Sequence, residues 1–260
     1  MRSPTLGLIP EVSKMHTTEF SRNMWEQTRR NRTFELQLAR VFDRGNLKIP
    51  IYLSIGQEHI SAAIASVSKD FLVFTQHRCH SYFLSFGGKP DELMKQLYGM
   101  QGSASLNIPN KMYGHSGLMG DQIPIAVGAA LGSKKRVLAV CGDASVEEDY
   151  VFASMGYAVT KKLPVLFICE DNDLSILTKT KVRRSWNTVD VALALGMQAR
   201  DITDDPWLIG YYVNLFKDHL PAFLNIRTCR HRWHNGTGTD GKPEWDRFQM
   251  IEDEMEKLWP

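Results

Sequence analysis

The sequence has little cysteine: four residues in 260, Cys79, Cys141, Cys169 and Cys229, scattered and without a CxxC pair. That pattern argues against a disulfide-built secreted domain and suits a reducing compartment, so a cytoplasmic location and buried structural thiols are expected. Long hydrophobic runs are absent too. No stretch reaches membrane-spanning length, and MRSPTLGLIPEVSKMHTTEF lacks the continuous apolar core of a signal peptide, so no membrane partner is expected. Neither sign of charge prevails: Lys+Arg number 31 against 29 Asp+Glu, a formal net charge of +2, and no long-range field calls for nucleic acid. No internal repeat, low-complexity stretch or interdomain linker is visible. What remains is ordinary globular composition, 43% hydrophobic and 23% charged, in a chain long enough for one large core.

That core is organised around Val137 to Thr178. Two apolar runs of strand length, Val137–Cys141 and Leu163–Cys169, flank an amphipathic segment that starts after Ser145, so the pattern predicts strand, helix, strand. The first strand stops at Gly142-Asp143, a tight turn feeding a helix, and the unpaired N–H groups of a helix start suit an anionic phosphate. The second ends in Glu170-Asp171-Asn172-Asp173. Carboxyl ends of neighbouring parallel strands converge on one crevice, so Asp143 and Asn172 can reach a common point. A carboxylate oxygen and an amide oxygen are hard ligands. With phosphate oxygens and water they would complete an octahedral Mg²⁺ site. Gly-Asp by itself is a common turn dipeptide, and an acidic loop at a strand end is the plainer reading of it.

Gly142-Asp143, a spacer of about thirty residues, then Asn172 with KLPVLFICEDN leading into it, resembles the diphosphate motif of thiamine diphosphate enzymes. More narrowly, it resembles the alpha subunit of the dehydrogenase component of 2-oxo acid dehydrogenase complexes, the pyruvate, branched-chain and acetoin types. The resemblance runs from roughly Arg29 to Asp240. It implies a doubly wound α/β fold, a mostly parallel sheet with helices on both faces, as a single domain over residues 17–260 after an irregular arm at 1–16. It implies that Gly142, Asp143, Ala144, Ser145 and Asn172 bind thiamine diphosphate, with Asp143, Asn172 and the backbone carbonyl of Leu174 on Mg²⁺. The family usually has Gly where this chain has Ala144, and a methyl group there is tolerated if φ stays negative.

Other family segments follow in order. Gly56-Gln57-Glu58 opens a helix, and a carboxylate in its first turn is at least as good a reading of Glu58 as a catalytic role. Gln76-His77-Arg78-Cys79-His80 closes the short strand Phe71–Phe74, where arginine can fork onto phosphate oxygens. The resemblance assigns His77 and Arg78 to the diphosphate and His80 to catalysis, with His77 standing where Tyr or Phe is usual. Gly117-Leu118-Met119-Gly120 resembles the segment whose backbone holds the aminopyrimidine ring. Ile176 falls where the family has an apolar wedge beneath the bent cofactor. His234, in HRWHNGTGTD after the last predicted strand, falls at the family's essential histidine, which is both cofactor-binding and catalytic. Between these segments, Thr17 or Thr18 caps a first helix whose Arg29, Arg30 and Arg32 form a solvated face. Thr178–Asn187 reads as a basic loop and the tail Pro243–Pro260 as an acidic amphipathic helix.

The resemblance implies an enzyme subunit that decarboxylates a 2-oxo acid only with a beta subunit, which supplies the activating glutamate in an α₂β₂ heterotetramer. A lipoyl-domain acyltransferase is the expected acyl acceptor. Two alternatives stay open: half of a split transketolase-like enzyme acting on a ketose, and a scaffold or regulatory subunit without turnover. Ala144 favours the scaffold, and retention of both Asp143 and Asn172 weighs against it.

Overall fold

Short apolar strands, each leading into an amphipathic segment, require a parallel sheet covered on both faces. The computed structural model describes residues 19–99 and 102–259 and contains such a sheet. Its strands are β1 (Leu72–Phe74), β2 (Met112–Tyr113), β3 (Val137–Gly142), β4 (Val165–Asp171), β7 (Gln198–Thr203) and β8 (Ala222–Arg227). They lie in the order β2-β1-β3-β4-β8-β7, every neighbouring pair parallel. A separate antiparallel ribbon pairs β5 (Leu174–Ser175) with β6 (Thr178–Lys179) and leads into the short helix α7 (Thr180–Arg183).

Period-two alternation within the strands divides the interior into two cores. Leu138, Val140, Leu166 and Ile168 face the helices α1 (Glu19–Asp43), α2 (Glu58–Val67), α3 (His80–Ser85), α4 (Pro90–Tyr98), α9 (Pro206–Phe216) and α10 (Arg247–Leu258). Val137, Ala139, Cys141, Val165, Phe167 and Cys169 face α5 (Gln122–Ser133), α6 (Asp149–Thr160) and α8 (Thr188–Ala194). The expected doubly wound α/β architecture is therefore present.

Several local expectations shift. β4 starts two residues late and runs on to Asp171, because Glu170 and Asp171 pair with Ile226 and Arg227 of β8 and are drawn into the sheet. Ser145–Glu147 forms a 3₁₀ turn, and α6 begins only at Asp149. Arg32 is not part of a solvated face: its guanidinium pairs with the fully buried Glu58, whose other oxygen accepts from Gly56 N at 2.6 Å. Glu58 is thereby a structural ion pair in the first turn of α2. The predicted basic loop contains β6 and α7, and the acidic tail helix is α10. The arm at 1–16 and the cap at Thr17 or Thr18 lie outside the described residues.

Candidate active site

Parallel strands deliver their last residues to one side of the sheet. From β1 come Gln76, His77 and Arg78; from β3, Gly142 to Ser145; from β4 and the ribbon, Asn172, Leu174 and Ile176; from β8, Arg230 and His234. The loop before α5 adds His115, Gly117 and Met119. Together with Tyr52 and Ala104 these residues line a cavity of about 200 Å³. His77, Arg78, Gly117, Met119, Gly142, Asp143, Ala144, Ser145, Asn172, Leu174, Ile176 and His234, all expected from the sequence, share its wall.

Two expected residues stay off that wall. His80, expected as catalytic, begins α3 and turns its ring into the packing against α1, with Nε2 2.7 Å from Ser103 Oγ and Nδ1 3.3 Å from Glu35 Oε2. All three groups are buried, so His80 ties α3 to its neighbours and does not line the cavity. Leu118 is 62% exposed and projects away from the cavity, between Gly117 and Met119, which line it.

Around the prospective metal ligands the donors are already engaged. Asp143 Oδ2 accepts from Arg183 Nη2 at 2.5 Å and Thr180 Oγ1 at 3.2 Å. Arg184 Nη1 donates to the Asp143 carbonyl and to Glu147 Oε1, both at 2.6 Å. Burial, and then the Asp171 carboxylate, raise the Asp143 pKa, while Arg183 opposes them. Asn172 Oδ1 accepts from Leu174 N at 3.2 Å and Nδ2 donates to Gln57 Oε1 at 3.1 Å. Ala144 has φ −84°, a backbone any L-residue adopts, so its methyl group imposes no strain on the turn.

The same wall carries an excess of positive charge. Arg78 is 3% exposed, its guanidinium hydrogen-bonds the Leu53 carbonyl, and no carboxylate forms a salt bridge with it among the described residues. Burial and the neighbouring Arg230 push the Arg78 pKa down to about 10. Arg230 is anchored by Asp240 at 2.7 Å and by the Ile176 carbonyl at 2.5 Å. Burial, Arg78 and Arg230 bring His234 down to about 4, and burial followed by Arg78 lowers His77 well below its ordinary value. The two histidine rings lie 5.0 Å apart and both pack on Tyr52. Beneath them, burial pushes the Glu170 carboxyl up to about 7, against hydrogen bonds from Tyr82 Oη at 2.9 Å and from Gln76.

Sequence reasoning missed Tyr52, His115 and Arg230. Arg230 had a signal, since it follows β8 at the same sheet end as Asn172. Tyr52 and His115 had none, because each sits in a loop whose path only the fold sets.

Comparison with known proteins gives the geometry a context. A family model described as "Dehydrogenase E1 component" matches residues 26–203, well over half of the chain. Pyruvate dehydrogenase E1 component subunit alpha of Rickettsia prowazekii is 26% identical over 230 residues, covering 78% of this chain and 69% of that one. The mitochondrial counterpart of Dictyostelium discoideum is 33% identical over 144 residues, covering 50% of this chain and 38% of that one. Among solved structures, transketolase from Campylobacter jejuni superimposes with a TM-score of 0.58 at 16% identity, over 82% of this chain and 38% of that chain. The chain thus spans under two-fifths of the transketolase, and at this identity the likeness bears on fold alone.

Proposed function

The chain belongs to the dehydrogenase E1 component family, and from that premise we propose that it is an alpha-type subunit that binds the diphosphate end of thiamine diphosphate with Mg²⁺. Acting with a beta subunit, it decarboxylates a 2-oxo acid and passes the acyl group to a lipoyl-domain acyltransferase. One observation carries the reading: two buried arginines, Arg78 and Arg230, flanked by the half-buried His77 and His234, meet the buried carboxylate of Asp143 in one cavity.

The residues fit both groups. An anion at Arg78 would relieve a buried guanidinium that makes no direct salt bridge among the described residues and feels Glu170 and Glu35 only at a distance, and Arg is suited to forked phosphate contacts. Asp143, Asn172 Oδ1 and the Leu174 carbonyl form an all-oxygen donor set of the kind Mg²⁺ takes together with phosphate oxygens. The guanidinium of Arg183 now neutralises Asp143, and exchange of one cation for another would preserve that balance. The cofactor supplies the electron sink that decarboxylation needs. This chain's residues would hold the anion, exclude water behind Ile176 and Met119, and orient protons at His77 and His234.

A beta partner is supported by what the wall lacks. Among the described residues Asp143 is the only carboxylate lining the cavity, and it serves the cation, which supports a pyrimidine-activating carboxylate supplied by a beta subunit. The cavity is also smaller than the ~300–1,000 Å³ of a complete small-molecule site, as expected of half a site. Exposed Ile176, Leu177 and Trp233 at its mouth give a second chain apolar surface to cover. Calorimetric titration of Mg²⁺–thiamine diphosphate into the chain, alone and with its beta partner, tests the proposal. Binding that requires the partner supports it, and no binding in either setting would leave the scaffold as the better account.

A further inference from the structure

His115 lines the cavity and is 7% exposed. Its Nδ1 accepts a hydrogen bond from Gly117 N at 3.1 Å and lies 3.4 Å from Asp121 Oδ1. With Nδ1 accepting from Gly117 N, the neutral ring carries its proton on Nε2; the other tautomer, with Nδ1–H turned to Asp121 Oδ1, leaves Nε2 an acceptor. Burial favours the neutral form, lowering the His115 pKa against the pull of Asp121. In the Nε2–H tautomer this nitrogen is a buried donor, and it has no hydrogen-bond partner among the described residues. Leaving such a group unpaired forfeits its hydration without return, and what sets His115 apart from other unpaired groups is that it lines the cavity.

The surroundings fix the ring rather than satisfy it. Asp121 is itself held, its Oδ2 accepting from Ser116 N at 3.2 Å and from Ser116 Oγ. The ring centroid lies 6.4 Å from that of His77, which places His115 beside the histidine cluster.

Resting on the cofactor reading, we propose that His115 is a further ligand-binding residue of the cavity, its Nε2–H donating to an oxygen of the bound ligand while Gly117 N–H orients the ring. The chemistry recognised is an oxygen acceptor, anionic or carbonyl. A phosphate of the cofactor and the carboxylate or keto oxygen of a 2-oxo acid both supply it.

Two substitutions separate this role from mere shaping of the loop. His115→Asn keeps an acceptor where Nδ1 meets Gly117 N–H and removes Nε2, whereas His115→Gln places an amide donor near Nε2 and gives up the Nδ1 contact. Each is assembled with the beta partner and titrated calorimetrically, first with Mg²⁺ and inorganic diphosphate, then with pyruvate on the cofactor-loaded complex; thermal midpoints are recorded for both. The expected result is a loss of about tenfold or more in affinity for one probe in His115→Asn, with the Gln variant within about threefold of the parent. Loss in the diphosphate arm assigns the oxygen to the cofactor, and loss confined to the pyruvate arm assigns it to the substrate. Unchanged affinity for both probes in His115→Asn overturns the inference while leaving the cofactor reading intact. So does equal loss in both variants with lowered thermal midpoints, the pattern of a loop pin. If the parent complex binds no probe, the cofactor reading fails and this inference with it.

Discussion

Two buried polar clusters in this molecule are built from the same residue types and balance their charge in opposite ways. At Asp204 one carboxylate accepts from Arg247 Nη2 at 2.7 Å and Nε at 2.9 Å, from Thr228 Oγ1 at 2.7 Å and from Trp245 Nε1 at 3.2 Å, with His59 Nε2 3.5 Å away. Burial would raise this carboxyl, but His59 and Arg247 hold it well below the usual carboxylate range. In the cavity, Arg78 and Arg230 stand with three histidines, two of which they depress, and Arg78 lacks a pairing carboxylate among the described residues. The first cluster pairs its buried charge within the protein and fastens α10 to the sheet. In the second, Arg230 has Asp240 but Arg78 makes no direct salt bridge among the described residues, which supports a place there for a ligand with negative charge.

The sharpest way to break the comparison is at Asp204. Replacing it by alanine removes the carboxylate that pairs with the buried Arg247 guanidinium, and a loss of about 3–5 kcal/mol in chemical denaturation is expected. Asp143→Ala tests the other side: its stability loss should be smaller, because Arg183 can turn to solvent, while calorimetric affinity for Mg²⁺–thiamine diphosphate falls by about 100-fold, or roughly 3 kcal/mol. A cavity variant that unfolds the chain as severely as Asp204→Ala would erase the distinction.

Proton linkage sharpens it further. His234 binds its proton only near pH 4 when folded, against 6.5 for the ordinary group, so between those values the unfolded chain holds more protons. Stability should therefore rise with pH through that window and fall as acid is added, and His234→Phe should flatten the slope in pH-dependent thermal melts. The Asp204 carboxyl is shifted in the same direction, downward, so it also costs stability in acid, but in a lower window: its contribution is present above the ordinary carboxylate pKa and is lost as pH falls below it. An anion bound at Arg78 opposes the depression of His77 and His234, so diphosphate binding at about pH 6 should take up protons, seen as a binding enthalpy that varies with buffer. The smallest expected effect is at Arg183, where Arg183→Gln removes the cation that competes for Asp143; a few-fold tighter Mg²⁺ affinity by titration is expected, about 1 kcal/mol or less.

How much of this was legible beforehand depended on the range of the interaction. The strand–turn sequence around Asp143 and Asn172 was readable because periodicity and turn chemistry act over a few residues. The site residues lying directly at strand ends, His77, Arg78 and Asn172, reached the cavity as expected. His80 did not, since its orientation depends on Glu35, 45 residues away, and Ser103, 23 residues away. Arg32 left its expected solvated face for the same kind of reason, its partner Glu58 lying in the next helix.

By itself the sequence determined the alternation of strand and helix, the two-sided burial of the central strands, and the delivery of Asp143 and Asn172 to one end of the sheet, all consequences of local pattern. Only the tertiary structure decided which charges were answered: Arg183 closing on Asp143, Asp204 gathering Arg247 and His59, and, among the described residues, Arg78 left without a salt bridge and His115 Nε2 without a hydrogen-bond partner. Pairing of buried charges depends on distances between segments far apart in the chain, and in a low-dielectric interior a change of a few ångströms decides whether a group is satisfied or awaits a ligand.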